Sequence, residues 1–195
     1  MKKFFIILLF FVLHNFSDLN ALDVKEVNYY KDKKAWLVKD NNLPVVAIKF
    51  AFKAGSGLDS KGKKGTANLT ASLLDEGAGD YSAKEFKKIL ADNSITLNFS
   101  VSHDNFYINL YTLKENLDLS FQLLDLALTK PIFKLEEINR IKNNIKLALE
   151  QSYKDPDGIT SRLFREILFD NHPYKYDPLG IIEDIDKIEK QDLEF

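Results

Sequence analysis

A strand, a polar loop and a helix follow one another in residues 45–77, which read VVAIKFAFKAGSGLDSKGKKGTANLTASLLDEG. Residues 45–52 are dense in β-branched and aromatic side chains, which is typical of a strand. A Gly-Ser-Gly turn ends that strand, and a lysine-rich loop follows. Residues 66–76 have apolar side chains at the spacing of a buried helix, which Gly77 stops. The sequence therefore predicts a strand and a buried helix joined by a long loop.

Further strands are predicted on both sides of this stretch. Residues 27–30 and 35–39 precede it, and both are rich in strand-forming side chains. After it, residues 95–101 alternate between apolar and polar side chains, which is typical of a strand with one buried face. Residues 106–111 form a matching strand across a short turn, so the two segments predict an antiparallel hairpin.

Four more helices are predicted around the hairpin. The first opens at Ser82, which stands three residues before Glu85 in a capping box, and runs to about Ala91. The other three have apolar residues at helical spacing and cover residues 113–128, 135–153 and 159–169. This order of elements indicates an α+β fold, with a mostly antiparallel sheet and helices packed on one face.

The start of the chain has the features of a secretory signal. Lys2 and Lys3 precede an unbroken apolar run at residues 4–13, and the small residue Ala21 stands where a signal peptidase would cut. The run is too short for a membrane-spanning helix, which needs about 20 residues. We therefore expect residues 1–21 to be a signal peptide that is cleaved. We expect the mature protein to be periplasmic or secreted and to have no stable membrane span. A retained anchor is the alternative.

Composition excludes several classes of protein. The 195 residues include no cysteine, which excludes disulfides, thiolate metal centres and a thiol nucleophile. The 27 basic side chains nearly balance the 29 acidic ones, so we expect no nucleic-acid partner. Beyond the signal, the only histidines are His103 and His172, far apart in the sequence. We expect both to be turn or surface residues, with an unrelated zinc site as the alternative.

Several short motifs together resemble a known family. They are AGSGLD at residues 54–59, KGTANL at 64–69 and LDEG at 74–77, followed by Asn98, DP at 155–156 and HPY at 172–174. Their order and spacing resemble the amino-terminal domain of the pitrilysin/insulinase family of zinc peptidases. The resemblance implies one peptidase-like domain over residues 22–195. We expect it to be truncated at its C-terminal end, because the chain stops straight after a helical start.

The zinc motif of that family is degenerate in this sequence. In the family, an inverted H-x-x-E-H motif supplies two zinc-binding histidines and a glutamate that activates water. The resemblance matches these positions to Asn68, Ala71 and Ser72, and it places the third zinc ligand, a glutamate in the family, near Ala148. None of the four side chains suits that chemistry. The resemblance therefore implies no catalytic residues, no metal ligands and no cofactor here.

Three functions remain open. The resemblance implies a clam-shell of two similar halves that encloses an unfolded peptide. We expect a non-catalytic subunit that shapes this chamber and binds extended peptide for a catalytic homologue carrying H-x-x-E-H. The alternatives are an active zinc metalloendopeptidase with displaced ligands and a structural core-type subunit.

The resemblance also implies a place for the peptide. Leu97, Asn98, Phe99 and Ser100 match the edge strand along which active family members lay their substrates. Pairing of main chain with an extended peptide needs an exposed strand edge and tolerates many side chains. An ordinary hairpin strand, with Leu97 and Phe99 in the core, is the alternative.

Overall fold

The computed structural model describes residues 23–30 and 33–194, and the predicted signal peptide lies outside these residues. The chain divides into two compact units, one up to Leu43 and one from Pro44. The first unit contains an antiparallel hairpin of β1 (Val24–Tyr30) and β2 (Lys33–Val38). These are the two strands predicted at residues 27–30 and 35–39, with shifted ends.

The strands of the second unit are β3 (Val45–Phe52), β4 (Gly77–Ala78), β5 (Tyr81–Ser82), β6 (Thr96–Val101) and β7 (Phe106–Leu113). Three of them form an antiparallel sheet in the order β3-β7-β6, so β7 is the central strand. A second, two-stranded sheet pairs β4 with β5. The predicted hairpin is confirmed, because β6 pairs with β7 from Val101 opposite Phe106 to Thr96 opposite Tyr111.

The helices of the second unit are α1 (Thr66–Leu73), α2 (Ala83–Asp92), α3 (Leu117–Thr129), α4 (Leu135–Ser152), α5 (Pro156–Leu168) and α6 (Ile182–Ile185). The capping box at the start of α2 is confirmed: the Glu85 carboxylate accepts the Ser82 N–H at 2.9 Å, and the Ser82 hydroxyl accepts the Glu85 N–H. The helix predicted from residue 159 begins earlier, at Pro156. Asp155 caps it by accepting the Gly158 N–H at 3.0 Å, and proline suits a first helical position.

The predicted helix over residues 113–128 is wrong at its start. β7 continues to Leu113, which pairs with Val45, and a 3₁₀ turn at Lys114–Asn116 leads into α3. The Lys114 N–H also donates to the Pro44 carbonyl at 2.9 Å, which prolongs the strand pairing. Sheet pairing therefore outweighs the helical spacing of the apolar residues in this segment.

Two clusters of buried apolar side chains hold the helices against the sheet. The first cluster joins β6 and β7 to α2 and α3 through Phe86, Leu90, Leu97, Ile108, Leu110, Leu123, Leu124 and Ala127. The second joins α1, α4 and the C-terminal residues through Leu69, Leu73, Ile141, Ile145, Leu149, Ile185, Ile188 and Leu193. Full burial of a Leu, Ile or Phe side chain stabilises the fold by about 1.5–3 kcal/mol relative to its exposure.

The alternation predicted for β6 is confirmed by its burial. Leu97 is buried against the helices, whereas Thr96, Asn98 and Ser100 are exposed on the other face of the sheet. The architecture is therefore the predicted α+β fold. Within the part of the chain that the structure describes, no helix is both long enough and apolar enough to cross a bilayer.

Candidate functional site

Asp59 fixes the start of α1, the helix that the sequence resemblance matches to the zinc-binding helix of the family. Its carboxylate accepts the N–H of Gly65 at 2.8 Å and of Ala67 at 2.9 Å, which satisfies two amides of the first helical turn. Burial raises the pKa of the Asp59 carboxyl, although these backbone hydrogen bonds act in the opposite direction. At Gly65 φ is +107°, and a Cβ there would lie 2.8 Å from the Leu179 carbonyl oxygen, so the position requires glycine.

The degenerate motif positions lie on two packed helices. α1 carries Asn68, Ala71 and Ser72, and it packs against α4, which carries Ala148. Asn68 and Ser72 are half-buried and lie one helical turn apart, so they share a face of α1. Ala71 is 2% exposed, whereas Ala148 is exposed.

These four side chains do not fit a zinc ion. Zinc in proteins is held by imidazole, thiolate or carboxylate groups, and the four positions offer one carboxamide, one hydroxyl and two methyl groups. Across residues 23–30 and 33–194, no group of three or more His, Cys, Asp or Glu side chains is arranged to hold a metal ion. The four positions therefore supply neither a metal ligand nor a general base.

A buried carboxylate joins the end of α1 to two other helices. The Glu76 side chain is 6% exposed and contacts Lys87 Nζ of α2 at 2.5 Å and Arg140 Nη2 of α4 at 2.6 Å. Arg140 also pairs with Glu137 at 2.7 Å. Burial acts to raise the pKa of the Glu76 carboxyl, but the hydrogen bonds from Lys87 and Arg140 outweigh it and hold the pKa below its ordinary value. This ion-paired group has a structural role beside the degenerate site.

A groove of about 890 Å³ lies on another face of α1. Thr66, Ala67 and Thr70 line it from the helix, and Phe106 and Ile108 line it from β7. Because an α-helix turns 100° per residue, these helix positions lie opposite the face shared by the two polar motif positions. The groove is therefore separate from the degenerate site.

β6 is an edge strand of the sheet and packs beside α1. In an antiparallel pair, hydrogen-bonded and non-bonded residue pairs alternate. The turn is closed by the Ser102 N–H, which donates to the Asn105 carbonyl at 2.8 Å. Every second pair back along β6 from this bonded pair is therefore hydrogen-bonded. Ser100 is hydrogen-bonded to Tyr107, and Asn98 is hydrogen-bonded to the residue opposite it.

The remaining main-chain groups of β6 therefore point away from β7. They are the N–H and C=O groups of Leu97, Phe99 and Val101. The bond from Lys114 N–H to the Pro44 carbonyl gives the same alternation, because it assigns the even-numbered residues of β7 to β3. Of the four residues predicted to bind peptide, two thus offer outward main chain, and Asn98 and Ser100 offer exposed side chains.

The turn between β6 and β7 is held by the Gly-Ser-Gly loop. Gly55, Ser56 and Gly57 donate their N–H groups to the carbonyls of three turn residues at 3.1, 3.0 and 2.8 Å. A Cβ on Gly55 would lie 2.3 Å from the His103 carbonyl oxygen, so a side chain cannot be accommodated there. Sequence reasoning noticed this loop as a strand end but did not predict its contact with the hairpin.

The two histidines are far apart in the sequence and were not predicted to lie near each other. In the structure, both of their rings contact Tyr174. The ring centroids of His103 and Tyr174 are 4.7 Å apart, and those of His172 and Tyr174 are 4.5 Å apart. The HPY motif at residues 172–174 was the signal in the sequence that could have located this cluster.

The fold and the positions on α1 define a peptidase-like domain without peptidase ligands. The family model for Insulinase (Peptidase family M16) matches residues 34–180, and the chain belongs to this family. The sequence of this chain contains no H-x-x-E-H motif.

Two curated relatives come from Helicobacter pylori (strain ATCC 700392 / 26695). The non-peptidase homolog YmxG is 33% identical over 194 residues, which cover 99% of this chain and 44% of the relative. The zinc protease PqqE is 27% identical over 157 residues, which cover 79% of this chain and 35% of the relative. The chain thus spans less than half the length of these relatives.

Solved structures share the fold. An inactive M16 peptidase domain from Pseudomonas fluorescens aligns with a TM-score of 0.81 at 23% identity, over 89% of this chain and 42% of that chain. A protease from Helicobacter pylori aligns with a TM-score of 0.77 at 22% identity, over 89% and 42% of the two chains. The periplasmic protease PqqL from Escherichia coli aligns with a TM-score of 0.69 at 14% identity, over 77% and 17%.

Proposed function

We propose that this chain is a non-catalytic M16 subunit that binds an extended peptide along β6 and presents it to a catalytic partner. The observation that carries this proposal is the outward main chain of β6 beside a helix whose motif positions carry no metal ligands. One element keeps what is needed to hold a peptide, and the other lacks what is needed to cleave it.

The outward groups of β6 have the geometry of a peptide template. Leu97, Phe99 and Val101 are spaced two residues apart, or about 6.6–6.8 Å, which is the repeat of any extended chain. Main-chain pairing gives affinity without reading side chains, so the ligand class is unfolded peptide of varied sequence. Asn68 and Ser72 on neighbouring α1 offer hydrogen-bonding groups to such a peptide but no nucleophile activation.

The partner is expected to be a homologue with an intact H-x-x-E-H motif. One relative bears the name non-peptidase homolog and another from the same organism bears the name zinc protease, which supports a division of labour within the family. The partner would supply the zinc ion, its ligands and the general base. This chain would contribute part of the chamber wall and the peptide-binding strand, and it would hold no cofactor.

The proposed location is the periplasm. The N-terminal sequence has the charged, apolar and small-residue regions of a secretory signal. A structural relative is described as a periplasmic protease, which supports the same compartment. Fractionation of cells that express the full chain, with immunodetection, tests this location; a cytoplasmic product of unreduced mass would contradict it.

The function is tested with the exported chain, purified alone and together with an H-x-x-E-H homologue from the same genome. Alone, the chain is expected to contain no stoichiometric zinc and to leave a quenched fluorescent peptide intact. Together, the two chains are expected to co-elute, and cleavage is expected to be on the order of tenfold faster than with the homologue alone. Chelator-sensitive cleavage by the isolated chain, or no complex with the homologue, contradicts the proposal.

A further inference from the structure

The turn between β6 and β7 is hydrogen-bonded to the loop that follows α5. The Tyr174 hydroxyl donates to the Asp104 carboxylate, at 2.7 Å from each oxygen. His103 Nε2 lies 3.0 Å from the Tyr176 carbonyl oxygen, a contact in which the ring N–H donates. We name this set of four residues, His103, Asp104, Tyr174 and Tyr176, the clasp.

The ring of Tyr174 is itself held in place by its neighbours. His172 Nδ1 accepts the Tyr174 N–H at 3.2 Å, and the two rings meet edge to face at a centroid distance of 4.5 Å. The Phe169 ring lies 5.5 Å away, also edge to face. The Tyr174 hydroxyl is therefore aimed at Asp104 before any ligand arrives.

We propose that the clasp positions the β6 edge for peptide, with Tyr174 and His103 as positioning residues that do not themselves touch the peptide. This inference rests on the proposed function. β6 is hydrogen-bonded to a strand on one side, and Val101, the last of its three outward residues, directly precedes the turn. An edge strand opens locally more readily than a central one, because fewer interactions oppose its opening. Holding the turn lowers the ordering that a peptide must impose on the strand, and preorganisation of this kind raises affinity.

The central test is Tyr174→Phe, which keeps the ring and removes the hydroxyl from Asp104. In the full chain, amide hydrogen exchange at Asn98 and Ser100, whose N–H groups pair with β7, is expected to accelerate on the order of tenfold, the effect of losing one hydrogen bond to a charged group. The Kd for a fluorescent, extended 10-residue peptide is expected to rise by about five- to tenfold. Exchange in the core of α3 is expected to stay unchanged, which separates positioning from general destabilisation.

Tyr176→Phe is the matched control, because it makes the same chemical change in the same loop, whereas the clasp uses the Tyr176 carbonyl. It is expected to leave both exchange and Kd unchanged. Asp104→Asn keeps an acceptor oxygen without the charge and is expected to give intermediate values, which supplies a second measurement if Tyr174→Phe folds poorly.

The outcomes separate this inference from the proposed function. If wild type and Tyr174→Phe bind the peptide equally tightly, the positioning role is overturned and the peptide-binding function stands. If β6 exchange is unchanged in Tyr174→Phe and Asp104→Asn, the clasp does not hold the strand and the inference fails. If the wild-type chain binds no peptide, the proposed function fails and the positioning role fails with it.

Discussion

α1 and β6 lie side by side, but they have kept different parts of what the family uses. α1 has the residues that start the helix, Asp59 and Gly65, while Asn68 and Ser72 stand at the positions that the resemblance matches to the family's metal ligands. β6 keeps its edge, which consists of main-chain N–H and C=O groups. Catalysis depends on particular side chains, whereas strand pairing depends on the backbone. Replacement of the ligand side chains therefore removes the first function and leaves the backbone that the proposed second function requires.

The first prediction concerns Gly55, where a substitution is expected to cause the largest loss of stability among the contacts that hold α1 and β6. A Cβ on this residue would lie 2.3 Å from the His103 carbonyl oxygen, so Gly55→Ala forces the loop away from the hairpin turn. We expect the free energy of unfolding to fall by about 3–4 kcal/mol, measured by urea denaturation. Gly62→Ala is the control: no atom lies within 4 Å of its added Cβ, and only its positive φ of +80° opposes the change. Its expected loss is about 1 kcal/mol, and equal losses would contradict the clash.

The second prediction concerns Ala71, the position that the resemblance matches to the family's general base. Ala71 is 2% exposed, so Ala71→Glu would bury a carboxylate without a partner. We expect it to lower the free energy of unfolding by about 3 kcal/mol. Ser72→Glu, one residue along and half-buried, is expected to lower it by less than about 1 kcal/mol. Equal losses of stability for the two substitutions, measured by thermal or urea denaturation, would show that position 71 is not buried and would contradict this prediction.

Several elements around the candidate site were predictable from sequence, because they rest on local patterns. The capping box at Ser82 and the alternation in β6 depend on neighbours within a few residues, and both were found as predicted. The start of α3 was not, because its preceding residues have helical spacing but pair with β3 in the sheet.

Two other contacts could not be predicted from such patterns. Asp59 caps α1 across a loop, from outside the usual capping position, and Tyr174 contacts Asp104 across 70 positions of sequence. Neither contact has a signature in the residue pattern, because the path of the intervening chain brings the partners together. The predicted identity of the degenerate positions came from the family resemblance, and their peptide-binding role stays a prediction.

The third prediction is a pH dependence at Glu76, which joins α1 to α2 and α4. Its pKa lies below the ordinary value in the folded state, so its ion pairs stabilise the fold above the unfolded pKa of about 4.3 and lose their effect as pH falls through the folded pKa. At pH 7, Glu76→Gln is expected to lower the free energy of unfolding by about 2 kcal/mol. The difference from wild type is expected to shrink below about pH 4. A difference that stays constant from pH 7 to pH 3 would contradict the ion-pair explanation.

The last prediction tests the outward main chain of β6 directly. Val101→Pro removes an N–H that points away from β7, and proline is tolerated in an edge strand when its nitrogen faces outward. We expect the free energy of unfolding to change by about 1 kcal/mol or less, and the Kd for an extended peptide to rise on the order of tenfold. Val101→Ala, which trims the side chain and keeps the N–H, is expected to bind peptide normally.

Ser100→Pro checks the assignment of the two edges, because its N–H is expected to pair with Tyr107 inside the sheet. This substitution should unfold the hairpin, with loss of amide protection in both β6 and β7, whereas Val101→Pro should retain protection in β7. If Ser100→Pro is the tolerated variant and Val101→Pro the disruptive one, the alternation is reversed. Asn98 and Ser100 would then supply the outward main-chain groups, and an incoming peptide would pair one residue out of the register proposed for Leu97, Phe99 and Val101.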